Sequence, residues 1–169
     1  MKKRYFAALA AAAGAGAWCL HRDRKYPLRP ELRFTNKLVV PGAMLNPKTA
    51  GLANRALARM ALTLPDLPQG VESRGTQIFS QDGTPVPLTL YRPEGLDWAA
   101  PCLVYFHGGG FCLGDAGYIH RYAARYAQGA QCMVVFVHYR TSDTAPFPAP
   151  FWDCYAALGW AWDRAPELG

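Results

Sequence analysis

The 169-residue sequence is 51% apolar and 18% charged, a composition typical of a globular chain that excludes a disordered tail, a collagen-like repeat and a polytopic membrane protein. Residues 1–30 carry seven basic side chains and one acidic side chain, which accounts for the whole net charge of +6. Residues 31–169 hold eleven charges of each sign, so no basic surface for nucleic acid is predicted.

Residues 1–30 have the pattern of a targeting segment. Three basic residues, Lys2–Arg4, precede sixteen uncharged and mostly apolar residues, Tyr5–Leu20, and a charged stretch follows. The apolar run is longer than a usual signal-peptide core and shorter than a typical spanning helix of about 20 residues. We therefore expect an exported signal or a single membrane anchor, with membrane association through residues 5–20. A surface helix of a cytoplasmic protein is the alternative.

The cysteines argue against a metal centre. Their number is odd and none has CxxC spacing, which disfavours both a zinc site and a fully paired disulfide framework. Four of the five lie in apolar segments, where a free cysteine behaves as a small hydrophobic residue. Export would allow some pairing. The five are Cys19, Cys102, Cys112, Cys132 and Cys154.

Segment 31–71 is predicted to be a linker followed by one helix. Prolines punctuate its first part, and Thr49–Leu62 then places apolar residues at helical spacing. The helix is predicted to pack through Leu52, Ala53, Ala56, Leu57, Met60 and Ala61, and to direct Asn54, Arg55 and Arg59 outward.

The next stretch predicts a hairpin and then a buried strand. Two short strands, Thr76–Ser80 and Val86–Tyr91, flank a turn at Gln81–Gly83 and are expected to pair antiparallel. The continuous apolar run Cys102–Phe106 predicts a strand that is covered on both faces. The pattern therefore begins as an antiparallel sheet and continues with buried strands.

The remaining elements alternate between helix and strand. A helix over Tyr118–Gln128, closed by Gly129, leads to a second buried strand at Cys132–Tyr139. Strand, helix and strand in this order predict a parallel pair. A proline-rich loop then leads to a helix at Phe151–Arg164, so the predicted fold class is α/β.

Three consecutive glycines follow the first buried strand. In His107-Gly108-Gly109-Gly110 the glycines let the backbone approach a ligand closely and direct N–H groups toward it. An acyl-transfer enzyme needs such donors where negative charge develops on the carbonyl oxygen. A phosphate-binding loop is the competing interpretation, but the sequence lacks the GxGxxG spacing and the Lys-Ser/Thr ending.

Four stretches follow one another in a characteristic order: Leu103–Asp115 with the glycine loop, Tyr139–Arg140, Pro146–Ala149 and Asp153–Leu158. In this order and spacing they resemble the hormone-sensitive-lipase-like branch of the α/β hydrolases. The resemblance implies that residues 72–169 form the N-terminal part of an α/β-hydrolase domain. It also implies that the preceding helix belongs to a cap over the acyl pocket.

The resemblance assigns roles to the glycine loop. Backbone N–H groups of Gly108, Gly109 and Gly110 would form one part of an oxyanion hole, and His107 would orient the loop. The implied activity is serine-dependent hydrolysis of a small-molecule carboxylic ester, with no cofactor and no metal. An amidase or formamidase relative is the alternative, because acyl transfer from amides uses the same stabilisation.

The nucleophile that the resemblance implies is absent from this sequence. Ser73, Ser80 and Ser142 are its three serines, and none lies in Gly-x-Ser-x-Gly. The catalytic acid and histidine would follow the nucleophile in the chain, so no member of the triad is assigned here. We expect an N-terminal part that stops before the nucleophile and is inactive by itself. A complete, non-catalytic module is the alternative.

Two positions depart from the family pattern. His138 stands where the family usually has Asp, and Thr141–Ala145 replaces an apolar residue followed by Ala-Pro-Glu. His138 is predicted to pack within its strand, and His120 is predicted to lie on the surface of its helix. Neither is therefore predicted to be a catalytic base.

Overall fold

The computed structural model describes residues 29–30, 46–61, 67–97 and 100–168. The chain divides into two units, Met1–Met44 and Leu45–Gly169, and all helices and strands below lie in the second. Residues 1–28 of the predicted targeting segment, Cys19 among them, and most of the predicted linker lie outside the described residues. In the described part of the chain, no helix combines the length and the hydropathy needed to cross a membrane.

The described residues form four strands and four helices. In chain order they are α1 (Pro47–Ala61), β1 (Val71–Phe79), β2 (Pro85–Pro93), β3 (Cys102–Phe106), α2 (Gly117–Ala130), β4 (Met133–Val137), α3 (Ala149–Asp163) and the short α4 (Ala165–Leu168). The strands form one sheet in the order β1-β2-β4-β3. β2 pairs antiparallel with β1 and with β4, whereas β3 and β4 are parallel. The predicted α/β class, the hairpin and the parallel pair are confirmed.

The hairpin is longer than the sequence predicted. β1 and β2 have nine residues each and pair along their whole length. The residues Glu72–Gly75 are exposed, because β1 is an edge strand, and their polar pattern concealed the first half of the strand. The turn lies where it was predicted: Gly83 has a φ of 77°, and its N–H donates to the Ser80 carbonyl at 2.9 Å.

Both faces of the sheet are covered. On one face α3 and α4 pack against a cluster that includes Leu88, Val135 and Val137. On the other face α2 contributes Ala123, Ala124 and Ala127 to a cluster with Val134 and Phe136. Residues 134–137 of β4 are fully buried, so β4 is the centre of the domain.

β3 corrects one prediction. The sequence predicted a strand covered on both faces, but Leu103 is 40% exposed and Phe106 is 42% exposed. β3 lies at the edge of the described sheet and pairs there with β4 alone, so its apolar side chains are only partly covered.

The C-terminal end of α2 also differs from the prediction. The predicted cap, Gly129, lies inside the helix, and the left-handed position is occupied by Gln131 with a φ of 49°. The N–H groups of Gln131 and Cys132 donate to the Ala127 carbonyl. These hydrogen bonds satisfy the last turn of the helix without a glycine.

α1 forms as predicted, but its packed face agrees with the prediction only in part. Ala50 is buried and Asn54 is partly buried, whereas Leu52 is 65% exposed. Ala50, Asn54 and Leu57 share one face at helical spacing. The polar side chain of Asn54 thus lies at the centre of the packed face. It is stable there because its hydrogen bonds are satisfied.

Candidate functional site: the glycine loop after β3

The loop after β3 requires glycine at a specific position. Gly109 has a φ of 136°, and a Cβ atom built there would lie 2.6 Å from the Leu113 carbonyl oxygen. Gly110 and Phe111 also have positive φ values, of 60° and 57°. The chain therefore turns tightly between residues 109 and 111, as close backbone approach requires.

The turn leaves the glycine N–H groups available. The Gly109 carbonyl accepts hydrogen bonds from the N–H groups of Cys112, at 3.0 Å, and Leu113, at 3.1 Å. Within the described residues, the N–H groups of Gly108, Gly109 and Gly110 donate to no other group. Gly108 and Gly110 are exposed and Gly109 is half-buried. The loop thus presents three neighbouring backbone donors at the end of β3.

His107 connects this loop to the core. Its ring stacks on Tyr139 with centroids 4.2 Å apart, and the Tyr139 hydroxyl donates to the His107 carbonyl at 2.6 Å. His107 Nδ1 lies 2.8 Å from the Gly108 carbonyl oxygen. A carbonyl oxygen only accepts hydrogen bonds, so Nδ1 carries the proton and donates to it. This hydrogen bond closes the first turn of the loop.

Burial shifts the pKa values of both rings. It lowers the pKa of His107, outweighing the opposing hydrogen bond to Gly108 and the charge of Asp115. It raises the pKa of the Tyr139 hydroxyl to about 12. His107 and Tyr139 are therefore both neutral at pH 7, and neither places a charge beside the loop.

Two pockets flank the glycine loop. One, of about 340 Å³, lies beside Gly108 and Gly109 and reaches Leu57 of α1 and Ile119 of α2; its other walls are Tyr105, Leu113, Gly114, Ala116, Tyr118 and Tyr122. The second, of about 200 Å³, is lined by Phe106, His107, Gly110, Phe111, Tyr139 and Cys154. A bound molecule in either pocket would lie beside the backbone of the loop.

Asn54 links α1 to the loop and is a contact that the sequence prediction missed. Its Oδ1 accepts a hydrogen bond from the Gly114 N–H at 2.8 Å. Its Nδ2 donates to the Cys112 carbonyl and to Asp143 Oδ1, each at 2.9 Å. Asp143 lies in the stretch that departs from the family pattern. The predicted outward position of Asn54 is therefore wrong: α1 is attached to both loops through this side chain.

A buried ion pair joins two of the family stretches, Tyr139–Arg140 and Asp153–Leu158. Arg140 Nε and Nη2 donate to the two carboxylate oxygens of Asp153 at 2.9 and 2.7 Å, and Asp153 is fully buried. Arg140 also donates to Asp82 in the hairpin turn at 2.8 Å. Burial raises the pKa of Asp153, but its hydrogen bonds outweigh burial and hold the pKa below the ordinary value. This pair fixes the end of β4 to α3 and to the hairpin.

Three titratable side chains meet between the segment after the loop, α2 and the end of β4. Asp115 Oδ2 lies 2.9 Å from His120 Nε2 and 2.8 Å from His138 Nδ1. Burial raises the pKa of Asp115, but the two imidazole hydrogen bonds outweigh it and hold the pKa far below the usual range. His120 is 6% exposed, so its predicted surface position is wrong. His138 was predicted to pack within its strand, but β4 ends at Val137, and the His138 ring lies just after it in contact with Phe136.

The other nitrogen of each imidazole also has a partner. His120 Nδ1 contacts the Tyr91 hydroxyl, and His138 Nε2 lies 2.8 Å from Thr89 Oγ1. A carboxylate only accepts hydrogen bonds, so the two nitrogens that face Asp115 carry the protons. Every ring nitrogen of both histidines therefore has a hydrogen-bond partner. We name Asp115, His120 and His138 the Asp–His–His cluster.

Comparisons with known sequences find similarity to hydrolases. Residues 103–169 match a family model described as an alpha/beta hydrolase fold. Carboxylesterase NlhH of Mycobacterium tuberculosis is 36% identical over 115 residues, which are 68% of this chain and 36% of that protein. Probable carboxylesterase 6 of Arabidopsis thaliana is 42% identical over 62 residues, or 36% of this chain and 18% of that protein. The chain thus spans only about a third of the mycobacterial relative.

Solved structures of esterases share this fold. Brefeldin A esterase, a bacterial homologue of human hormone-sensitive lipase, superposes with a TM-score of 0.62 at 31% identity, over 73% of this chain and 37% of that protein. A bacterial heroin esterase superposes with a TM-score of 0.68 at 30% identity, over 84% of this chain and 45% of that protein.

Proposed function

Because this chain belongs to the hormone-sensitive-lipase-like branch of the α/β hydrolases, we propose that it supplies the oxyanion-binding loop of a carboxylic-ester hydrolase. The observation that carries the proposal is the set of backbone N–H groups at Gly108, Gly109 and Gly110. Within the described part of the chain they donate to no other group. Donors fixed in this way can stabilise the charge that develops on an ester carbonyl oxygen.

The proposed step is nucleophilic attack on the ester carbonyl carbon. The carbonyl π electrons move to oxygen, and the loop N–H groups stabilise the resulting anion. Collapse of the tetrahedral intermediate re-forms the carbonyl bond and breaks the bond to the alkoxide, which takes up the proton given up by the nucleophile and leaves as the alcohol. Water then attacks the acylated nucleophile in the same way, releasing the carboxylic acid and the free nucleophile. The loop acts through backbone groups, so its shape matters more than its side chains, and His107 and Tyr139 maintain that shape.

The substrate is proposed to be a small-molecule ester whose acyl group enters the pocket of about 340 Å³. This pocket directly adjoins Gly108 and Gly109, and its walls include Leu57, Leu113 and Ile119. Apolar walls beside fixed polar donors are the usual composition of a small-molecule site. Leu57 brings α1 into this wall, which supports its role as a cap.

The nucleophile is proposed to lie outside these 169 residues, because no serine of the sequence has the Gly-x-Ser-x-Gly setting. We expect the chain alone not to hydrolyse short-chain aryl esters above the background given by serum albumin, and not to be labelled by a fluorophosphonate. Covalent labelling of the chain would contradict this part of the proposal. Sequencing the coding DNA beyond Gly169 for a glycine-flanked serine tests the other part.

The loop itself is tested in a longer product that carries such a serine. Gly109→Pro removes one N–H group, and losing one oxyanion donor lowers kcat by about a hundred- to a thousandfold. Proline also cannot adopt the φ of 136° found at Gly109, so Gly109→Ala, which keeps the N–H group but strains the same backbone position, is the matched control. A folded Gly109→Pro enzyme with unchanged kcat would exclude the loop from the mechanism.

The location of the protein is a separate proposal. The basic, apolar and charged order of residues 1–30 supports delivery to, or across, the cytoplasmic membrane. A reporter fused to residues 1–30 should be found in the membrane or exported fraction. Recovery of the whole reporter in the soluble cytoplasm would contradict the proposal.

A further inference from the structure

The Asp–His–His cluster is not used by the proposed ester hydrolysis. It lies on the face of the sheet covered by α2, and it joins the segment after the glycine loop, the first turns of α2 and the residue that follows β4. His138 stands where the family that this sequence resembles usually has Asp. This sequence therefore adds a second imidazole beside that of His120.

We propose that the Asp–His–His cluster binds a divalent transition-metal ion, with zinc as the representative. Two imidazole nitrogens and one carboxylate oxygen form a donor set that zinc uses in proteins. The three donor atoms lie within 4.8 Å of one another. The side chains of Asp115 and His138 are 28% and 26% exposed, whereas that of His120 is 7% exposed. The cluster thus combines one buried ligand with two that an ion can reach from solvent.

Two of the three donor-atom distances need only a small adjustment, and the third, between the two histidine nitrogens, is at most 4.8 Å. Zinc bonds of about 2.0–2.1 Å to nitrogen and oxygen separate tetrahedral ligands by about 3.3 Å. The nitrogens of His120 and His138 lie 2.9 and 2.8 Å from Asp115 Oδ2, so each must move outward by about half an ångström. The fourth position of a tetrahedral ion would be filled by water.

The hydroxyls of Tyr91 and Thr89 complete the site. A metal-bound histidine carries its proton on the other ring nitrogen, where it donates to a neighbouring group. His120 has the Tyr91 hydroxyl at that nitrogen, and His138 has Thr89 Oγ1 at 2.8 Å. Binding therefore moves each ring proton from the inner to the outer nitrogen.

An ion in this site would fix the glycine loop at its far end. Asp115 lies six positions after Gly109 in the sequence, and its two histidine ligands belong to α2 and to the end of β4. The ion would thus connect the loop to both elements. This role does not depend on the proposed esterase activity.

The test is calorimetric titration of the chelator-treated, full 169-residue chain with Zn²⁺. Free thiols bind zinc, so the cysteines are first blocked with N-ethylmaleimide. We expect one ion per chain in the wild type, and binding at least about tenfold weaker in His138→Gln. Thr89→Val, which removes only the hydroxyl at the outer nitrogen, should weaken binding by about tenfold. Asp163→Asn, an exposed carboxylate on α3, should bind like the wild type.

The ring-nitrogen NMR shifts of the wild-type chain provide a readout that needs no variant to fold. Zinc should move the proton of both imidazoles to the outer nitrogen. Two results would overturn the proposal: the absence of saturable zinc binding by the wild type, or equal affinity in the wild type and in a folded His138→Gln chain. Unchanged imidazole shifts at saturating zinc would also overturn it.

Discussion

Tyr139 lies almost parallel to His107, with ring centroids 4.2 Å apart and 10° between the ring planes, while its hydroxyl donates to the His107 carbonyl. Tyr139 follows β4, and His107 follows β3. The residue before the three glycines is therefore held by the end of the neighbouring parallel strand. Stacking and the hydrogen bond act on the same residue, but a mutation can separate their effects.

Tyr139→Phe keeps the stacking and removes the hydroxyl. The buried His107 carbonyl loses this donor, which costs about 1–3 kcal/mol. We expect a lower urea midpoint with an unchanged slope. Tyr139→Leu should lower the midpoint further, because the ring contact is lost too. Equal midpoints for the wild type and Tyr139→Phe would show that the hydroxyl contributes nothing to stability.

Gly109→Ala places a side chain where the backbone does not accept one. The φ of 136° and the approach of 2.6 Å to the Leu113 carbonyl both oppose a Cβ atom, and such strain costs about 1–3 kcal/mol. The matched control is Gly114→Ala, whose Cβ would meet Asn54 Oδ1 at 3.8 Å. In denaturant unfolding, Gly109→Ala should have a lower free energy of unfolding than the wild type, and Gly114→Ala should lie within about 1 kcal/mol of the wild type.

Asn54→Ala should detach α1 from the loop. The substitution leaves the Gly114 N–H and the Cys112 carbonyl without this partner, at a cost of about 1–3 kcal/mol. We expect faster amide hydrogen exchange in α1 and at Gly114. Arg55→Ala, on the exposed side of the same helix, is the control and should exchange as the wild type does. Identical exchange in both variants would contradict the assigned role of Asn54.

Stability should decrease as the pH falls below neutral, in part because of His107. Burial lowers the pKa of His107 below its ordinary 6.5, so the unfolded chain binds its proton more readily than the folded chain does. The contribution is complete above about pH 7 and is lost as the pH falls through 6.5 toward the lower folded value. His107→Gln should flatten the plot of unfolding free energy against pH in this range. A slope equal to that of the wild type would contradict the assignment.

Periodicity in the sequence was sufficient to predict the repeating elements. α1, α2, β3, β4 and α3 lie within a few residues of their predicted positions, because each has an apolar run or stripe of the right period. The first half of β1 was missed because an edge strand exposes residues such as Glu72 and Arg74. This half of β1 is held in the sheet by its backbone hydrogen bonds to β2 and not by buried side chains.

The side-chain contacts of the candidate site were harder to predict from the sequence. Asn54 is polar on an amphipathic helix and was assigned to the outer face. Only the positions of its partners, 58 to 89 residues away in the chain, show that it packs inward. His120 and His138 meet because α2 crosses over β4. The replacement of the usual Asp by His138 was the one sequence signal for this cluster, and it did not identify Asp115 as the shared partner.

Every side chain of residues 134–137 in β4 belongs to one of two separate cores, in alternation: Val135 and Val137 to the α3 side, Val134 and Phe136 to the α2 side. A typical half-exposed strand can vary every second position with little effect. β4 has no such positions in this stretch, since a polar residue at any of them would be buried without a partner. In a saturation mutagenesis library selected for folding, this stretch should accept only apolar residues of similar volume, without the alternate tolerant positions expected of the first half of β2.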